Sequence, residues 1–283
     1  MTRITVNGLT INATKNHPLQ RFQKEFHWYD KILSNLAPLI TGNIIDIGAN
    51  IGDTTIAIHQ ANPNLHIYAI EPDPEFYPIL TSNIPLATNP KNITPIKAFI
   101  NNQNTNNVIT KNKENHTGHM TTANGPTGTQ TLTYPQLLKH INQTNITLIK
   151  IDTDGYDHQI LSTIHQHYSI NHEDLPIIFF EFQTYDNTQG PKQPNRHHKE
   201  QEYLKTVEDL LNIGYDHITI FDNFGIPIIT TNDINHLASI VKYTRLAQTI
   251  GNWNPAFYHD ILLHPPQHQQ ALTQALKNHV PQP

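Results

Sequence analysis

Ile44-Ile45-Asp46-Ile47-Gly48-Ala49-Asn50-Ile51-Gly52-Asp53 is the stretch on which the fold of this chain turns. It begins as a short apolar run of the kind that builds a buried strand, then passes through an acidic residue into a turn framed by Gly48 and Gly52. Glycine lets backbone approach a ligand closely, and a helix opening at Gly52 points its unpaired N–H groups at the same place. An ordinary strand-to-helix loop has no need of both glycines together with Asp46, so the spacing is that of a nucleotide-binding turn.

Details of the turn choose among nucleotides. The dinucleotide pattern G-x-G-x-x-G is absent. The chain has D-x-G-x-N-x-G, with Asn50 where the middle glycine would stand, and asparagine is the non-glycine residue that best tolerates left-handed backbone angles. Asp46, ahead of the first glycine, would crowd a pyrophosphate but suits a cationic amino acid, which favours S-adenosylmethionine over NAD. An NAD-dependent oxidoreductase fits the fold class but not this glycine pattern. Glu71, in Ala69-Ile70-Glu71-Pro72-Asp73, follows about twenty residues past the turn, where an acidic residue of a Rossmann-type site accepts from ribose hydroxyls, with Pro72 bordering the same position. In Ile149-Lys150-Ile151-Asp152-Thr153-Asp154-Gly155-Tyr156-Asp157, Asp152 ends a strand in the same crevice. Asp154 and Asp157 suit a capping arrangement in the next helix as well as they suit a site.

Outward from this core, apolar strands alternate with segments of helical period. Ile44–Ile47, Leu65–Ile70, Ile93–Ile100, Ile146–Ile151 and Ile177–Phe182 are predicted strands. Helices are predicted from Gly52, from Asp73-Pro74 (an N-cap with proline at the first helical position), around Tyr156, Ile160 and Ile164, and around Leu204, Val207 and Leu211, where Gly214 stops the last. Such alternation implies an α/β fold, a Rossmann-like, doubly wound and mostly parallel sheet with helices on both faces. Toward the end, Tyr215–Phe221, the turn Asp222-Asn223-Phe224-Gly225 and Ile226–Ile229 form a hairpin, and Phe257–Leu263 is a last strand, which fits an antiparallel C-terminal edge. At the other end, Ile4-Thr5-Val6 and Leu9-Thr10-Ile11 flank the tight-turn dipeptide Asn7-Gly8. An amphipathic helix is expected from Pro18 to Leu39, able to lie across the sheet or over its cleft. This divides the chain into residues 1–40, a hairpin and helix packed on the main domain, and residues 41–283, the main domain. Asn101–Gly128 and Tyr185–His197, just past strand ends, are candidate substrate loops.

Composition narrows the partners. The net charge of −5 and the lack of a Lys/Arg block remove the electrostatic attraction that holds a phosphate backbone, so nucleic acid is a poor substrate. With no cysteine, metal chemistry would fall to histidine and carboxylates. The start of the chain has no signal-peptide pattern and no apolar run reaches the roughly 20 residues of a membrane span, which leads us to expect a cytoplasmic protein. Asp152 and Glu181 end neighbouring strands, and oxygen ligands of this kind suit magnesium, although the pattern does not require a divalent metal. The spacing His116-x-x-His119 is too common to define a zinc site.

Taken in order, Asp46 to Asp53, Ile70 to Asp73, Lys150 to Asp157, Phe180-Glu181, Gly214-Tyr215 and Asp222 to Gly225 resemble the FkbM-type family of class I S-adenosylmethionine-dependent methyltransferases. The resemblance covers roughly residues 42–263. It implies a seven-stranded methyltransferase sheet, S-adenosylmethionine as donor, and transfer to a hydroxyl oxygen of a sugar, glycan, glycolipid or polyketide-like acceptor. The family's usual Lys-Ile-Asp-x-Glu-Gly-x-Glu carries aspartate at 154 and 157 here, which keeps charge and shortens reach; a binding module that keeps the pocket without catalysis is the alternative. On this reading Asp46, Gly48, Asn50 and Gly52 hold the methionine end, Glu71 and Pro72 the ribose, and Ala98 and Phe99 border the adenine, with Asp152 in the same crevice. Methyl transfer needs a proton acceptor for the hydroxyl: Asp152 as general base or its orienting group, with His119 or His116 in its place because imidazole titrates near neutrality.

Overall fold

A computed structural model describes residues 1–283 apart from 7, 16, 18, 27, 103–106, 112–117, 123–128, 154, 172–173, 185–195, 251–257 and 280–283. The chain opens with the expected hairpin, β1 (Thr2–Val6) against β2 (Leu9–Ala13), with Val6 opposite Leu9 across the turn. The helix expected over 18–39 is two helices, α1 (Leu19–Glu25) and α2 (Lys31–Leu36). The break has a local cause: Asp30, ahead of α2, takes a left-handed conformation (φ 53°), and its carboxylate accepts from Thr54 Oγ1 at 2.9 Å. Aspartate is among the few side chains that tolerate that backbone.

The strand–helix alternation then follows: β3 (Asn43–Ile47), α3 (Asp53–Ala61), β4 (His66–Ile70), α4 (Phe76–Asn83) and β5 (Ile93–Ile96). Helix α4 starts later than Asp73-Pro74 suggested, but Asp73 does organise its approach, accepting from the Glu75 N–H at 2.6 Å. The run Ile93–Ile100 is divided. β5 belongs to the main sheet, whereas β6 (Ala98–Ile100) leaves it and pairs in parallel with β9 (Gln130–Leu132). Between these, β7 (Asn107–Lys111) and β8 (Gly118–Thr122) form an antiparallel hairpin inside the first of the two candidate loops. Next come α5 (Tyr134–Ile141), whose N-terminus has a Thr133/Gln136 capping box, β10 (Ile146–Ile151), α6 (Asp157–Asn171), β11 (Ile177–Phe182) and α7 (Arg196–Asn212). The chain finishes with β12 (His217–Asp222), β13 (Pro227–Thr231), α8 (Ile234–Ile250), β14 (His259–His264) and α9 (Gln269–Lys277). No helix among the described residues is long and apolar enough to cross a membrane.

The main sheet has the order β13-β12-β14-β11-β10-β3-β4-β5. Seven of these strands make the expected sheet and β13 adds an outer hairpin strand. β5, β4, β3, β10 and β11 are mutually parallel. The last strand, β14, lies inside the antiparallel side rather than at its rim, antiparallel to both β11 and β12, and the edge is β13. The chain moves outward from β3 in one direction through β4 and β5, then crosses over and moves out the other way from β10. The order therefore reverses between β3 and β10, and open α/β sheets bind ligands outside the carboxyl ends of the strands at such a switch point.

Two apolar layers cover the sheet. One face, with Ile45, Ile47, Ile149, Ile151, Ile178, Phe180, Ile218, Ile220, Ile261 and Leu263, packs against α5, α6, α7 and α8. The other, with Ile44, Ile67, Leu148, Ile177, Phe179 and Leu262, packs against Ile32, Leu33 and Leu36 of α2, Ile58 of α3, and Leu272 and Ala275 of α9.

Candidate functional site

On the second face the apolar layer stops short of the carboxyl ends of the parallel strands. One step further along each strand the side chain that would continue it is charged. Ile44 is followed on that face by Asp46, Leu148 by Lys150, Phe179 by Glu181 and, on the antiparallel β14, Leu262 by Asp260. Pairing registers set these residues side by side, Lys150 opposite Asp46 and Glu181 opposite Asp260. All four are buried. The sequence therefore places a polar layer at the switch point, on top of the core that α2 and α9 cover.

Lys150 is its centre. Its ammonium lies 3.2 Å from Asp46 Oδ1 and 3.3 Å from Asp152 Oδ2, and donates to the Gly48 carbonyl at 3.3 Å. Asp46 is fully buried, and its other oxygen accepts from Thr55 Oγ1 of α3 at 2.5 Å. Asp152, by contrast, keeps 38% of its side chain exposed. Burial opposes the lysine charge, but Asp46, Asp152, Asp30 and Asp53 together outweigh it and push the ammonium pKa well above its ordinary value. For the carboxyls the balance reverses. Burial raises Asp30 to about 6 and Asp53 to about 7 against the opposing pull of Lys150, and burial together with Asp30, Asp152 and Asp222 holds Asp260 well up. Tyr29 and Tyr258 face the same group; burial and the surrounding carboxylates raise both phenols. One buried cation thus serves an excess of carboxylates, and the region favours added positive charge.

The expected turn is built as the glycine pattern suggested, with reasons that lie elsewhere in the chain. Gly48 (φ 79°), Asn50 (φ 49°) and Gly52 (φ 86°) all have left-handed backbone. A Cβ on Gly48 would fall 1.8 Å from the Asp152 carbonyl oxygen, and one on Gly52 would fall 2.6 Å from Leu80 Cδ1. Gly48 is needed because the backbone at the end of β10 packs against the turn, and Gly52 because of its left-handed φ, the Leu80 side-chain tip being free to shift. Its N–H groups are partly used internally, Gly48 and Ala49 donating to the Ile70 carbonyl at 3.0 and 2.9 Å. Asn50 Oδ1 is a buried acceptor without a hydrogen-bond partner among the described residues.

Glu71 ends β4 beside this turn. Its two oxygens accept from the Asn50 N–H and the Asp73 N–H, each at 2.7 Å, so the carboxylate ties the loops after β3 and β4 together. Burial raises its pKa to about 7, against the lowering effect of those two backbone donors. Pro72 lies between Glu71 and Asp73 in the same loop. Ala98 and Phe99 are buried on β6, off the main sheet.

Other expected residues fall differently. Asp157 is fully buried at the start of α6 and accepts from the N–H of Thr153 at 3.0 Å and from its hydroxyl, the capping alternative. Asp154 and His116 lie outside the described residues, as does most of the Tyr185–His197 loop. His119 is on β8, in register with Thr110. Asp152 and Glu181 belong to no three-ligand cluster among the described residues. Lys150, Asp30 and Asp260 were given no role from sequence. A lysine inside the apolar strand Ile146–Ile151 was the available signal, since a buried ammonium requires a partner.

The N-terminal segment closes one side of this region. A Cβ on Gly225, in the turn between β12 and β13, would fall 2.1 Å from the Trp28 carbonyl oxygen, and the Phe26 and Phe224 rings are 4.5 Å apart. Phe26 and Trp28 therefore pack against that turn, and Asp30 reaches α3 through its bond with Thr54.

Comparison with solved structures finds distant likenesses. Precorrin-6y C5,15-methyltransferase from Geobacter metallireducens is 13% identical, with 83% of this chain and 87% of that chain covered and a TM-score of 0.41. An O-methyltransferase from Bacillus cereus in complex with SAH is 14% identical, with 83% and 79% covered and a TM-score of 0.41. Fibrillarin from Aeropyrum pernix, with natively bound S-adenosyl-L-methionine, is 12% identical, with 84% and 76% covered and a TM-score of 0.41. No curated protein matches the chain. The sequence profile of the methyltransferase FkbM domain matches residues 46–215, more than half of the chain, from the aspartate of the glycine turn to Tyr215 at the approach to β12. The chain belongs to the FkbM methyltransferase family.

Proposed function

We propose that this protein transfers a methyl group from S-adenosylmethionine to a hydroxyl oxygen of a small-molecule or glycan acceptor, a sugar, glycolipid or polyketide-like compound. The observation that carries the reading is the gathering of Asp30, Asp46, Asp53, Asp152 and Asp260 around the buried cation Lys150, beside the Gly48–Gly52 turn. An excess of buried carboxylate attracts a ligand with positive charge, and S-adenosylmethionine has both a sulfonium and an α-ammonium. The residues also fit its polar groups: Asn50 Oδ1 is an acceptor waiting for a donor, and Glu71 retains lone pairs beyond those used by two N–H groups.

In this reading the turn Gly48, Asn50 and Gly52 holds the methionine end, Glu71 and Pro72 the ribose, and Ala98 and Phe99 border the adenine. Asp46 acts at one remove: with its oxygens on Thr55 and Lys150, it holds the ammonium that in turn orients Asp152. When bound, the donor supplies an electrophilic methyl on sulfur. The protein's contribution is to align an acceptor oxygen and to receive its proton, largely a matter of positioning. Asp152, the partly open carboxylate at the tip of β10, takes that proton or orients the group that does, with His119 and His116 in its place if the loop brings them there.

A labelled-methyl transfer assay against glycan and glycolipid extracts tests this. Label should enter an alkali-stable ether on a hydroxyl, and Asp152→Asn should cut turnover far more than donor binding. Donor binding with no acceptor labelled would favour a binding module, and an equal loss of binding and turnover in Asp152→Asn would make Asp152 a cofactor-holding residue.

A further inference from the structure

At the opposite ends of β12 and β14, away from the cleft, a second polar group is buried with its bonding atoms unused. His217 opens β12, His264 closes β14, and the two face each other across the antiparallel ladder. Their rings stack with centroids 5.2 Å apart and 7° between planes. The Asp216 N–H donates to the His264 carbonyl at 3.3 Å, and its carboxylate brings Oδ1 to 3.1 Å from His217 Nδ1. One ligand atom from each of the three residues lies within 4.8 Å of the others.

These atoms are costly to bury as they stand. His264 is 1% exposed and its ring nitrogens lack a well-aligned hydrogen bond among the described residues, the Pro265 carbonyl lying beside the ring off-line; His217 Nδ1 and Asp216 Oδ1 have only each other, as an ion-pair contact without hydrogen-bond alignment. Two imidazoles and a carboxylate suit a borderline divalent ion held at about 2.0–2.2 Å, which sets neighbouring ligand atoms about 3–3.5 Å apart. The Asp216–His217 separation of 3.1 Å already falls in that range. Imidazole ligation argues against magnesium or calcium, which take oxygen.

We propose that Asp216, His217 and His264 bind a divalent transition-metal ion of the zinc class, at a site separate from the methyl-transfer cleft. The ion would clip the start of β12 to the end of β14, joining the α7–β12 connection to the segment that leads into α9. Its contribution is to stability, because binding to the folded chain alone adds to the free energy of unfolding.

The test takes the full chain, stripped of metal with a chelator, and titrates it with Co²⁺ as a spectroscopic probe and Zn²⁺ as competitor. A single equivalent of Co²⁺ should produce visible d–d absorption with micromolar or tighter affinity, Zn²⁺ should displace it, and Zn²⁺ should raise Tm. His264→Gln should weaken binding by more than about tenfold. Because residue 264 is in the core, Asp216→Asn and His217→Gln, at partly exposed positions, repeat the measurement with circular dichroism confirming the fold. S-adenosylmethionine affinity should match the wild type in both. A wild-type chain that takes up no Co²⁺, or uptake undiminished in Asp216→Asn and His217→Gln, overturns the proposal.

Discussion

Replacing Lys150 with methionine removes the cation that holds the polar layer together while keeping most of the length of the side chain. Asp46 is fully buried and Lys150 is 3% exposed; after the change Asp46 keeps, among the described residues, the Thr55 hydroxyl as its one side-chain partner. The Gly48 carbonyl loses its 3.3 Å donor and Asp152 its 3.3 Å ion pair as well. Removing one partner of a buried pair costs about 3–5 kcal/mol, because the other charge stays desolvated. For a urea slope of about 3 kcal/mol/M, the unfolding midpoint of Lys150→Met should fall by about 1–2 M with the slope unchanged. Adding Asp46→Asn removes the orphaned charge, so the double variant should be more stable than the sum of the single effects requires, with a coupling of about 1–3 kcal/mol. A midpoint within about 0.2 M of wild type for Lys150→Met, or strictly additive effects, would refute the claim that this pair organises the site.

Further outcomes follow from the same geometry. Gly48→Ala should destabilise by more than about 3 kcal/mol in urea, since left-handed strain of about 1–2 kcal/mol adds to a backbone clash 1.8 Å from the Asp152 carbonyl. Gly8→Ala, at φ 84° with nothing within 4 Å of the new Cβ, should cost no more than that strain; equal losses at the two positions would mean the clash is relieved at no cost. Glu71→Gln should weaken S-adenosylmethionine by about 1–3 kcal/mol in calorimetry, and unchanged affinity would remove Glu71 from the ribose. The ligand-free protein should lose stability as pH rises from about 6.5 to 8. Asp53, Glu71 and Asp157, each raised by burial to about 7, are still partly protonated in the folded chain where the unfolded chain is fully ionised, so the folded state binds more protons there. The fall is on the order of 1–2 kcal/mol. Below that window His158 and His259, which burial lowers to about 4, act in the opposite sense, so a Tm series should bend near pH 6.5. A Tm that climbs from pH 6.5 to 8 would contradict the assignment.

What was legible in the sequence was local. The strand, turn and helix of Ile44–Asp53 carry their own periodicity and backbone signals, and Asn50 does take the left-handed angle its identity suggested. The alternation of elements gave the doubly wound architecture, because each amphipathic helix must return to the sheet. What stayed hidden depends on contacts between distant residues. Gly48 is glycine because of the Asp152 carbonyl, a neighbour created only when β10 pairs with β3. The polar layer appears only once registers align Asp46 with Lys150 and Glu181 with Asp260. Helical periodicity from 18 to 39 did not show a break set by the Asp30 bond to Thr54, and the run 93–100 did not show that β6 leaves for β9. The insertion of β14 between β11 and β12 is a choice of partner that periodicity does not encode.

Isothermal titration of the wild-type chain with S-adenosylmethionine and, in a parallel run, with NAD tests the central claim most directly. The acidic crevice beside Gly48–Gly52 should take one S-adenosylmethionine per chain, with affinity reduced in Glu71→Gln and no heat from NAD. No binding of S-adenosylmethionine, or equal binding of NAD, would contradict it.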